Sequence, residues 1–312
     1  MTHNKKLLFV LSDGNFDFLK NNTNYRYNID CSNYSQFHKI FYTETNNSLF
    51  KKSNYHFIWP SPERVSSEFH SLQNYQKIDK LKFERDLIDY INRIKEIGKE
   101  SEAILLPLLN SFNNYGSLGI GNMTENIGYN FHLYEANNFL INNLKDQENI
   151  YLIDSFEWFR KCSKTIDEKL WFRGKIPFSV EFMKTMLETI HNTIQTIEGI
   201  QKKLLVVDLD NTIWGGVLGE IGMSNLILGQ DGIGQAYKDF QKAIKKIKNL
   251  GIVLVLLSKN NEKDVRNVLR NHQDMILKEN DIVAFKVNWK SKSHNISELS
   301  KELHLNSDSF VF

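Results

Sequence analysis

The sequence predicts an α/β protein with two Rossmann-like three-layer domains whose sheets are mainly parallel. Short apolar runs alternate with longer amphipathic stretches, a pattern typical of strand–helix–strand units. The alternation stops at a long helical stretch, residues 178–201, and then begins again. The chain has 312 residues, of which 41% are hydrophobic, and this is enough for two domains with buried cores.

The first part of the chain contains the elements of one such domain, which we assign to residues 1–176. Strands are predicted where short apolar runs occur, at residues 6–12, 55–59, 103–109 and 149–154. Helices are predicted where apolar residues recur at helical spacing, at residues 77–99 and 133–144. A surface loop is predicted at residues 115–126, which are rich in Gly and Asn.

A linking helix, predicted at residues 177–202, leads to a second domain at residues 203–312. Its strands are predicted at residues 204–208, 253–258, 282–286 and 309–312. Its helices are predicted at residues 234–250, 262–272 and 291–303. Because the sequence stops inside the last strand pattern, we expect this domain to be incomplete at its carboxyl end.

The composition excludes several classes of protein. Lys and Arg number 39 against 37 Asp and Glu, a net charge of +2, which argues against a coat for nucleic acid or anionic membranes. No basic stripe is interleaved with aromatic residues, so we predict no nucleic-acid partner. The two cysteines, Cys31 and Cys162, are typical of a reducing compartment. No apolar run is long enough for a membrane span or a signal peptide, so we predict a cytoplasmic protein.

Two aspartates follow a buried strand in "KLLVVDLDNTIWGG", at Asp208 and Asp210. A parallel sheet presents the carboxyl ends of its strands at the edge where α/β proteins bind ligands. Like charges there repel each other unless a cation lies between them, and oxygen ligands suit Mg²⁺. One carboxylate can attack a phosphorus atom while the other serves as acid and base. The alternative is an ordinary solvated turn, because Asp, Asn and Thr are common turn residues.

Partners for a phosphate follow further along the chain. The strand in "IVLVLLSKNN" ends at Ser258, whose hydroxyl can donate to a phosphate oxygen. Lys292 lies at the start of a predicted helix, where a cation can balance a phosphate. Taken singly, Ser258 could be a helix cap and Lys292 a solvated lysine. Their order, each at the expected element, favours a phosphate site.

This order of motifs resembles the haloacid dehalogenase (HAD) superfamily, and within it the FkbH-like or HAD-IIIC family. The resemblance over residues 203–312 is carried by the blocks "DLDNTIWGGVLGEIG", "GIGQAYKDFQKAIKKIKNLGI", "SKNN", "VNWKSKSHNI" and "LNSDSFVF". The resemblance implies that Asp208 is the nucleophile and Asp210 the general acid and base, both at an Mg²⁺ ion. It further implies that Ser258 and Lys292 bind phosphate and that Thr212 fixes the loop. A third acidic metal ligand is expected after Phe312.

Two neighbouring segments extend the candidate site. Gly215 and Gly216 match the family's loop after the nucleophile, where glycine allows positive φ and close approach of the backbone. Trp214, just before them, either forms a wall or lid over the substrate or packs in the core. Lys259 and Asn260 lie beside Ser258 and are expected to contact the substrate.

One position departs from many relatives. Leu257 stands where they carry a cysteine, directly before the Ser-Lys pair. A thioester on the enzyme at this position is therefore impossible, and an acyl transfer would need another route.

Residues 5–175 resemble the SGNH-hydrolase-like domain that precedes the HAD domain in this family. Ser12, Asn110 and Asp154 follow strands at the positions that the resemblance implies for a hydrolase. The histidine expected three residues after Asp154 is Glu157, and nothing in the sequence brings His132 to Ser12. Without a base the serine cannot be activated, so we expect a non-catalytic domain with a binding role.

A block at residues 167–179 resembles the segment that joins the two domains in this family. Its side chains Trp171, Phe172, Arg173 and Lys175 either line a groove between the domains or pack at their interface.

The resemblance implies a glyceryl transferase and phosphatase that moves a glyceryl unit from 1,3-bisphosphoglycerate to an acyl carrier protein. The first alternative is a stand-alone metabolite phosphatase in cell-surface glycan or lipid biosynthesis, which needs only the phosphate site. The second is a non-enzymatic interaction module.

Overall fold

The computed structural model describes residues 5–21, 25–43, 48–112, 119–200 and 202–312. The chain divides into two units, residues 1–197 and 198–312.

The first unit is built on a parallel sheet. Its strands among the described residues are β1 (Lys6–Ser12), β2 (Tyr27–Cys31), β3 (Tyr55–Trp59), β4 (Ala103–Pro107) and β5 (Ile150–Ile153). They lie in the order β2-β1-β3-β4-β5, and every pairing is parallel. The carboxyl ends of these strands therefore share one edge.

Helices cover both faces of this sheet. They are α1 (Phe37–Tyr42), α2 (Ser48–Lys52), α3 (Pro62–Val65), α4 (Glu68–Gln73), α5 (Lys80–Gly98), α6 (Tyr129–Leu144), α7 (Phe156–Lys161), α8 (Glu168–Gly174) and α9 (Val180–Ile197). Successive side chains of a strand point to opposite faces. Phe9 of β1 accordingly packs in a cluster with α5 and α6, whereas Val10 packs in another with α9. The unit thus has three layers.

The second unit repeats this plan on a smaller sheet. Its strands are β6 (Leu204–Val207), β7 (Val253–Ser258), β8 (Ala284–Val287) and β9 (Phe310–Val311), in the parallel order β8-β7-β6-β9. Its helices are α10 (Leu218–Ile221), α11 (Gly232–Asn249), α12 (Glu262–Asn271) and α13 (Lys292–Glu302). Leu256 of β7 packs with α11 and α12, and Leu257 packs with α13.

The predicted fold class, α/β with mainly parallel sheets, is confirmed. The prediction missed β2, whose burial alternates: Tyr27, Ile29 and Cys31 are buried, Asn28 is exposed and Asp30 is half-buried. An edge strand of this kind has no continuous apolar run. The loop predicted at 115–126 lies partly outside the described residues, and its described part includes a 3₁₀ turn, Gly119–Met123.

The linking helix predicted at residues 177–202 is α9, and it belongs to the first unit. Phe182, Met186 and Ile190 recur at intervals of four residues, are fully buried and pack in the same apolar cluster as β1 and β3. An amphipathic helix that buries one face in this way is part of a domain core rather than a connection.

Within the described ranges, no helix combines the length and the apolar character needed to cross a membrane.

Candidate active site

The carboxyl edge of the second sheet gathers the main residues that the sequence singled out. Asp208 and Asp210 follow β6, and the neighbouring β7 ends at Ser258. The loop after β8 leads to Lys292, the first residue of α13. Because the strands are parallel, these segments leave the sheet at one edge.

Asp208 forms an ion pair with Lys292. Nζ of Lys292 lies 2.5 Å from Oδ2 of Asp208, and the N–H of Leu209 donates to Oδ1 at 2.9 Å. The two side chains remain 30% exposed for Asp208 and 40% for Lys292, so a small ligand can reach them. One of the two carboxylates after β6 is therefore charge-balanced and accessible.

Asp210 is held by N–H donors from separate segments. Its Oδ1 accepts the indole N–H of Trp214 and the backbone N–H of Leu218, each at 3.0 Å. Its Oδ2 accepts from Nδ2 of Asn260 at 2.7 Å. These bonds fix the plane of the carboxylate and leave its remaining acceptor capacity mainly on Oδ2.

Asn260 connects Asp210 to Ser258. The same Nδ2 atom donates to Oγ of Ser258 at 3.1 Å, and both side chains are almost completely buried. Since Oγ of Ser258 accepts this bond, its own proton is available for another acceptor. None of the residues that the structure describes takes that proton, so it can be donated to a ligand.

The turn after the aspartates is closed by its own backbone. The carbonyl oxygen of Leu209 accepts the N–H of Thr212 at 3.0 Å and that of Ile213 at 2.9 Å. Oγ1 of Thr212 lies 3.4 Å from the carbonyl oxygen of Asp210. Thr212 thus lies in the loop that, by the family resemblance, it is expected to fix.

Gly215 and Gly216 shape the backbone of this loop. Gly216 has φ +97°, and its N–H donates to Oδ1 of Asn211 at 2.9 Å. A Cβ atom on Gly215 would lie 2.9 Å from Cβ of Ile227 and 3.0 Å from the ring of Tyr237. Both positions therefore require glycine for close packing or for positive φ. Asn211, which also has a positive φ, escaped the sequence analysis.

Trp214 packs in the core and does not cover a substrate. Its side chain is 0% exposed, and its indole N–H donates to Asp210. A ring without exposed surface offers no face to a ligand, so the wall or lid interpretation is wrong. Asn260 is also buried, and its amide supports Asp210 and Ser258; direct contact of Asn260 with the substrate stays a prediction. Lys259 is exposed and has no polar partner among the described side chains.

A pair of asparagines beside Ser258, Asn288 and Asn295, was not predicted from the sequence. The N–H of Asn288 donates to the carbonyl oxygen of Ser258 at 3.1 Å. The side-chain amides of Asn288 and Asn295 exchange two hydrogen bonds, at 3.1 and 3.0 Å. This pair holds the start of α13, and so Lys292, against the end of β7. A signal was present, because Asn295 is a polar residue on the buried face of its helix.

The residues that could hold a metal ion are Asp208 and Asp210. In the described part of the chain, no group of three or more His, Cys, Asp or Glu side chains is arranged to hold a metal. Asp208 and Asp210 offer hard oxygen ligands of the kind that Mg²⁺ prefers. The further acidic ligand expected after Phe312 stays a prediction.

The first unit does not bring a base to Ser12 among its described residues. Ser12 is fully buried, and its Oγ donates to the carbonyl oxygen of Trp59 at 2.7 Å. His132 is also buried, with Nδ1 2.9 Å from Glu135 and Nε2 2.9 Å from the carbonyl oxygen of Glu125. The hydroxyl of Ser12 and the imidazole of His132 thus form hydrogen bonds with different groups and not with each other. A non-catalytic role for this unit stays a prediction.

The other hydrolase-like positions of the first unit make local contacts. Oδ1 of Asn110 accepts the N–H of the next residue at 2.9 Å. Asp154 forms an ion pair with Arg160 at 2.9 Å, and Glu157 forms one with Lys161 at 2.8 Å. These contacts cap and stabilise chain segments and require no ligand.

Asp13, next to Ser12, is a buried carboxylate that the sequence analysis did not single out. Its Oδ2 accepts the N–H of Ser61 at 3.1 Å and also the Ser61 hydroxyl. Its Oδ1 has no hydrogen-bond partner in the described part of the chain, and Nε of Arg64 lies 3.6 Å away. Burial raises the pKa of Asp13, because desolvation disfavours the charged form.

The segment predicted to join the domains lies in and after α8. The ring of Trp171 packs edge-on against Tyr34, and Nζ of Lys175 lies 5.0 Å from the centre of that ring. Phe172 is 75% exposed, and Arg173 falls in the last turn of α8. A role between the domains stays a prediction for these side chains.

Comparison with known proteins identifies one relevant solved structure. No protein-family model matches the chain, and no curated protein sequence does. The chain is similar to the N-terminal part of the protein BF1531 from Bacteroides fragilis, described as containing a phosphatase domain complexed with Mg. The TM-score is 0.81 at 25% sequence identity, and the match covers 98% of this chain and 83% of that one. The similarity therefore extends over both units.

The hydrogen bond from Trp214 to Asp210 predicts a measurable loss of stability. Trp214→Phe keeps a buried ring but removes the N–H, so we expect the free energy of unfolding to fall by about 1.5–3 kcal/mol from the lost bond to a charged group. Urea unfolding followed by circular dichroism measures this. Trp289→Phe is the matched control, because Trp289 is 76% exposed, and we expect a change within about 0.5 kcal/mol. Equal changes in the free energy of unfolding for the two substitutions would contradict a stabilising hydrogen bond from Trp214 to Asp210.

The buried carboxylate of Asp13 predicts a pH-dependent effect. Because its pKa is raised in the folded protein, the folded state retains the proton above the ordinary value of 3.8. As the pH rises from that value through the raised pKa, the free energy of unfolding therefore decreases. We expect the stability of Asp13→Asn, relative to the wild type, to increase over this pH range in urea unfolding experiments. If the difference in the free energy of unfolding between Asp13→Asn and the wild type does not vary with pH, the raised pKa of Asp13 is contradicted.

Proposed function

We propose that this protein is a Mg²⁺-dependent phosphohydrolase of the HAD type that reacts through an aspartyl-phosphate. The observation that carries the proposal is the unequal environment of the two aspartates after β6. Asp208 is accessible and paired with Lys292, whereas Asp210 is fixed by three N–H donors. Two carboxylates in different environments can divide the roles of nucleophile and acid/base. The Mg-bound phosphatase domain described in the B. fragilis structure supports the same function.

Asp208 is the nucleophile of this proposal. One of its carboxylate oxygens attacks the phosphorus atom, and the bond from phosphorus to the leaving oxygen breaks with its electron pair on that oxygen. Lys292, now paired with Asp208, stays beside the phosphoryl group and balances its charge. The hydroxyl proton of Ser258 is donated to a phosphoryl oxygen.

Asp210 carries the proton in this reaction. Because Oδ1 already accepts two N–H groups, the proton resides on Oδ2, the oxygen that Asn260 contacts. Asp210 protonates the leaving oxygen in the first step. In the second step it takes a proton from the water that attacks the aspartyl-phosphate, and this releases phosphate and restores both carboxyl groups.

The oxygen ligands at this edge fit Mg²⁺. Asp208 would offer a carboxylate oxygen, and Asp210 would offer its main-chain carbonyl, since its side chain already accepts three N–H groups. A bound Mg²⁺ supplies positive charge that offsets the repulsion between the nucleophile and the phosphate. The acidic residue expected after Phe312 would complete the ligand set.

A glyceryl transfer to an acyl carrier protein is the finer form of this proposal, and it rests on the family resemblance. The carrier's thiolate would attack the acyl carbon of 1,3-bisphosphoglycerate and release one phosphate, and the HAD site would hydrolyse the other. Leu257 is buried at 1% exposure and replaces the cysteine of many relatives. The protein therefore has no thiol at this position that could carry an acyl group. This observation favours the second candidate, a stand-alone metabolite phosphatase.

The phosphatase step is tested with Asp208→Asn in the complete gene product. We expect Mg²⁺-dependent phosphate release from p-nitrophenyl phosphate to fall by about 10³-fold or more, because the amide is not a nucleophile. Asp231→Asn is the matched control, since Asp231 is exposed and its side chain makes no capping bond. Activity that survives both EDTA and Asp208→Asn would rule out the proposed mechanism.

The transfer step is tested by intact-mass analysis of a phosphopantetheinylated carrier protein. The carrier is mixed with the complete gene product, Mg²⁺ and 1,3-bisphosphoglycerate. A glyceryl mass on the carrier that loses its phosphate only when Asp208 is present would support both steps. Phosphate release with an unchanged carrier would leave the stand-alone phosphatase. Neither change, together with no Mg²⁺ binding, would favour the non-enzymatic module.

A further inference from the structure

Helix α11 presents an apolar stripe to solvent. One face of the helix packs on the second unit, through Gly234, Gln241 and Ile244. The exposed face that adjoins this buried face is also largely apolar, and we call it the outer stripe; the side opposite the core carries the exposed residues Asp239, Lys242 and Lys246. The exposed members of the outer stripe are Ile233 (64%), Ala236, Phe240 (47%), Ala243, Ile247 (41%) and Leu250 (84%). A surface helix ordinarily has polar residues on its solvent face, so this stripe requires an explanation.

The spacing of the outer stripe is that of a coiled-coil seam. Its members alternate at intervals of three and four residues along the whole helix. This heptad spacing keeps one narrow seam on a single side of a helix and is typical of helices that pack along each other. It differs from the face that packs on the unit, where a glycine and a glutamine occupy the centre.

The sizes of the side chains suit a second copy of the same helix in antiparallel orientation. A two-fold axis between Gln241 and Lys242 would place Phe240 of one copy against Ala243 of the other. The same axis would place Ile247 against Ala236, so that each of these large residues meets a small one. An interface about a two-fold axis must be complementary to itself, and the outer stripe fulfils this condition.

The charges beside the stripe obey the same symmetry. Asp239 and Lys246 flank it on one side, and the antiparallel arrangement brings Asp239 of each copy next to Lys246 of the other. Lys242 and Gln235 donate to Asp239, and these bonds lower its pKa and keep it charged. Lys246 has no acidic partner among the described residues and is free to pair across the axis.

We propose that α11 is the contact between two copies of this protein, packed antiparallel about a two-fold axis at the middle of the helix. This proposal does not depend on the proposed enzymatic function. One helix of 18 residues is about 27 Å long. Such a contact is smaller than a standard protein interface, so the dimer dissociates at low concentration.

Sedimentation velocity of the protein, between about 1 and 200 µM, tests the dimer. We expect the wild type to shift from monomer to dimer over this range. Ala243→Glu places a carboxylate against Phe240 of the other copy and should raise the dissociation constant about tenfold or more. Asn249→Glu is the matched control, because it puts the same exposed side chain outside the stripe and should leave the dissociation constant within about twofold. Circular dichroism verifies that both variants are folded.

A charge exchange tests the arrangement itself. Asp239→Lys alone or Lys246→Asp alone places like charges together across the axis and should weaken the dimer. The double variant restores opposite charges and should restore the dimer, although the two residues lie too far apart along one helix to contact each other. A wild type that stays monomeric at every concentration, a dimer that survives Ala243→Glu, or a double variant no better than the single ones would each overturn the proposal.

Discussion

The carboxylate of Asp210 is the contact on which the candidate active site depends. It accepts N–H groups from the loop after β6, from the first residue of α10 and from the loop after β7. A hydrogen bond to a charged acceptor contributes more than a neutral one, and three together hold the carboxylate in one orientation. Asn260 also donates to Ser258, so one amide group positions both the proposed acid/base, Asp210, and the serine hydroxyl that is proposed to bind phosphate.

In the proposed mechanism, an ion pair with a lysine distinguishes Asp208 from Asp210. Asp208 has Lys292 as its cation, brought from a position 84 residues further along the chain. The pair remains partly exposed, and a phosphate that approaches it meets a lysine as well as a carboxylate. The asparagines Asn288 and Asn295 keep that lysine at the sheet edge, because they tie the loop before α13 to the end of β7.

The sequence was sufficient for the fold class because most buried strands, such as β6 and β7, are continuous apolar runs bounded by polar residues. It was insufficient for β2, where buried and polar residues alternate over only five positions. The positions of the site residues at strand ends follow from parallel topology. The role of Trp214 does not, since the same residue after a turn can point to solvent or to the core. Only the contacts of its ring and indole N–H decide between the two.

The hydrogen bonds of Asn260 were beyond sequence reasoning for a different reason. Its acceptor Asp210 lies 50 residues away, and no local pattern records that distance. The outer stripe of α11 is the converse case, because its heptad spacing is visible in the sequence. The sequence does not show which face of the helix is buried. Only the structure shows that the stripe lies on the surface.

Both sheets present polar residues at the same kind of edge, but Ser12 and Asp13 at the end of β1 are buried, whereas Asp208 after β6 is partly exposed. In the first unit the hydroxyl proton of Ser12 is donated to the carbonyl oxygen of Trp59, and Asp13 is buried with a raised pKa. Desolvation there favours the neutral form of Asp13. In the second unit Asp208 is partly exposed and forms an ion pair with Lys292. Both topologies are parallel, so the difference lies in burial and charge balance, and these physical conditions favour chemistry at the second sheet.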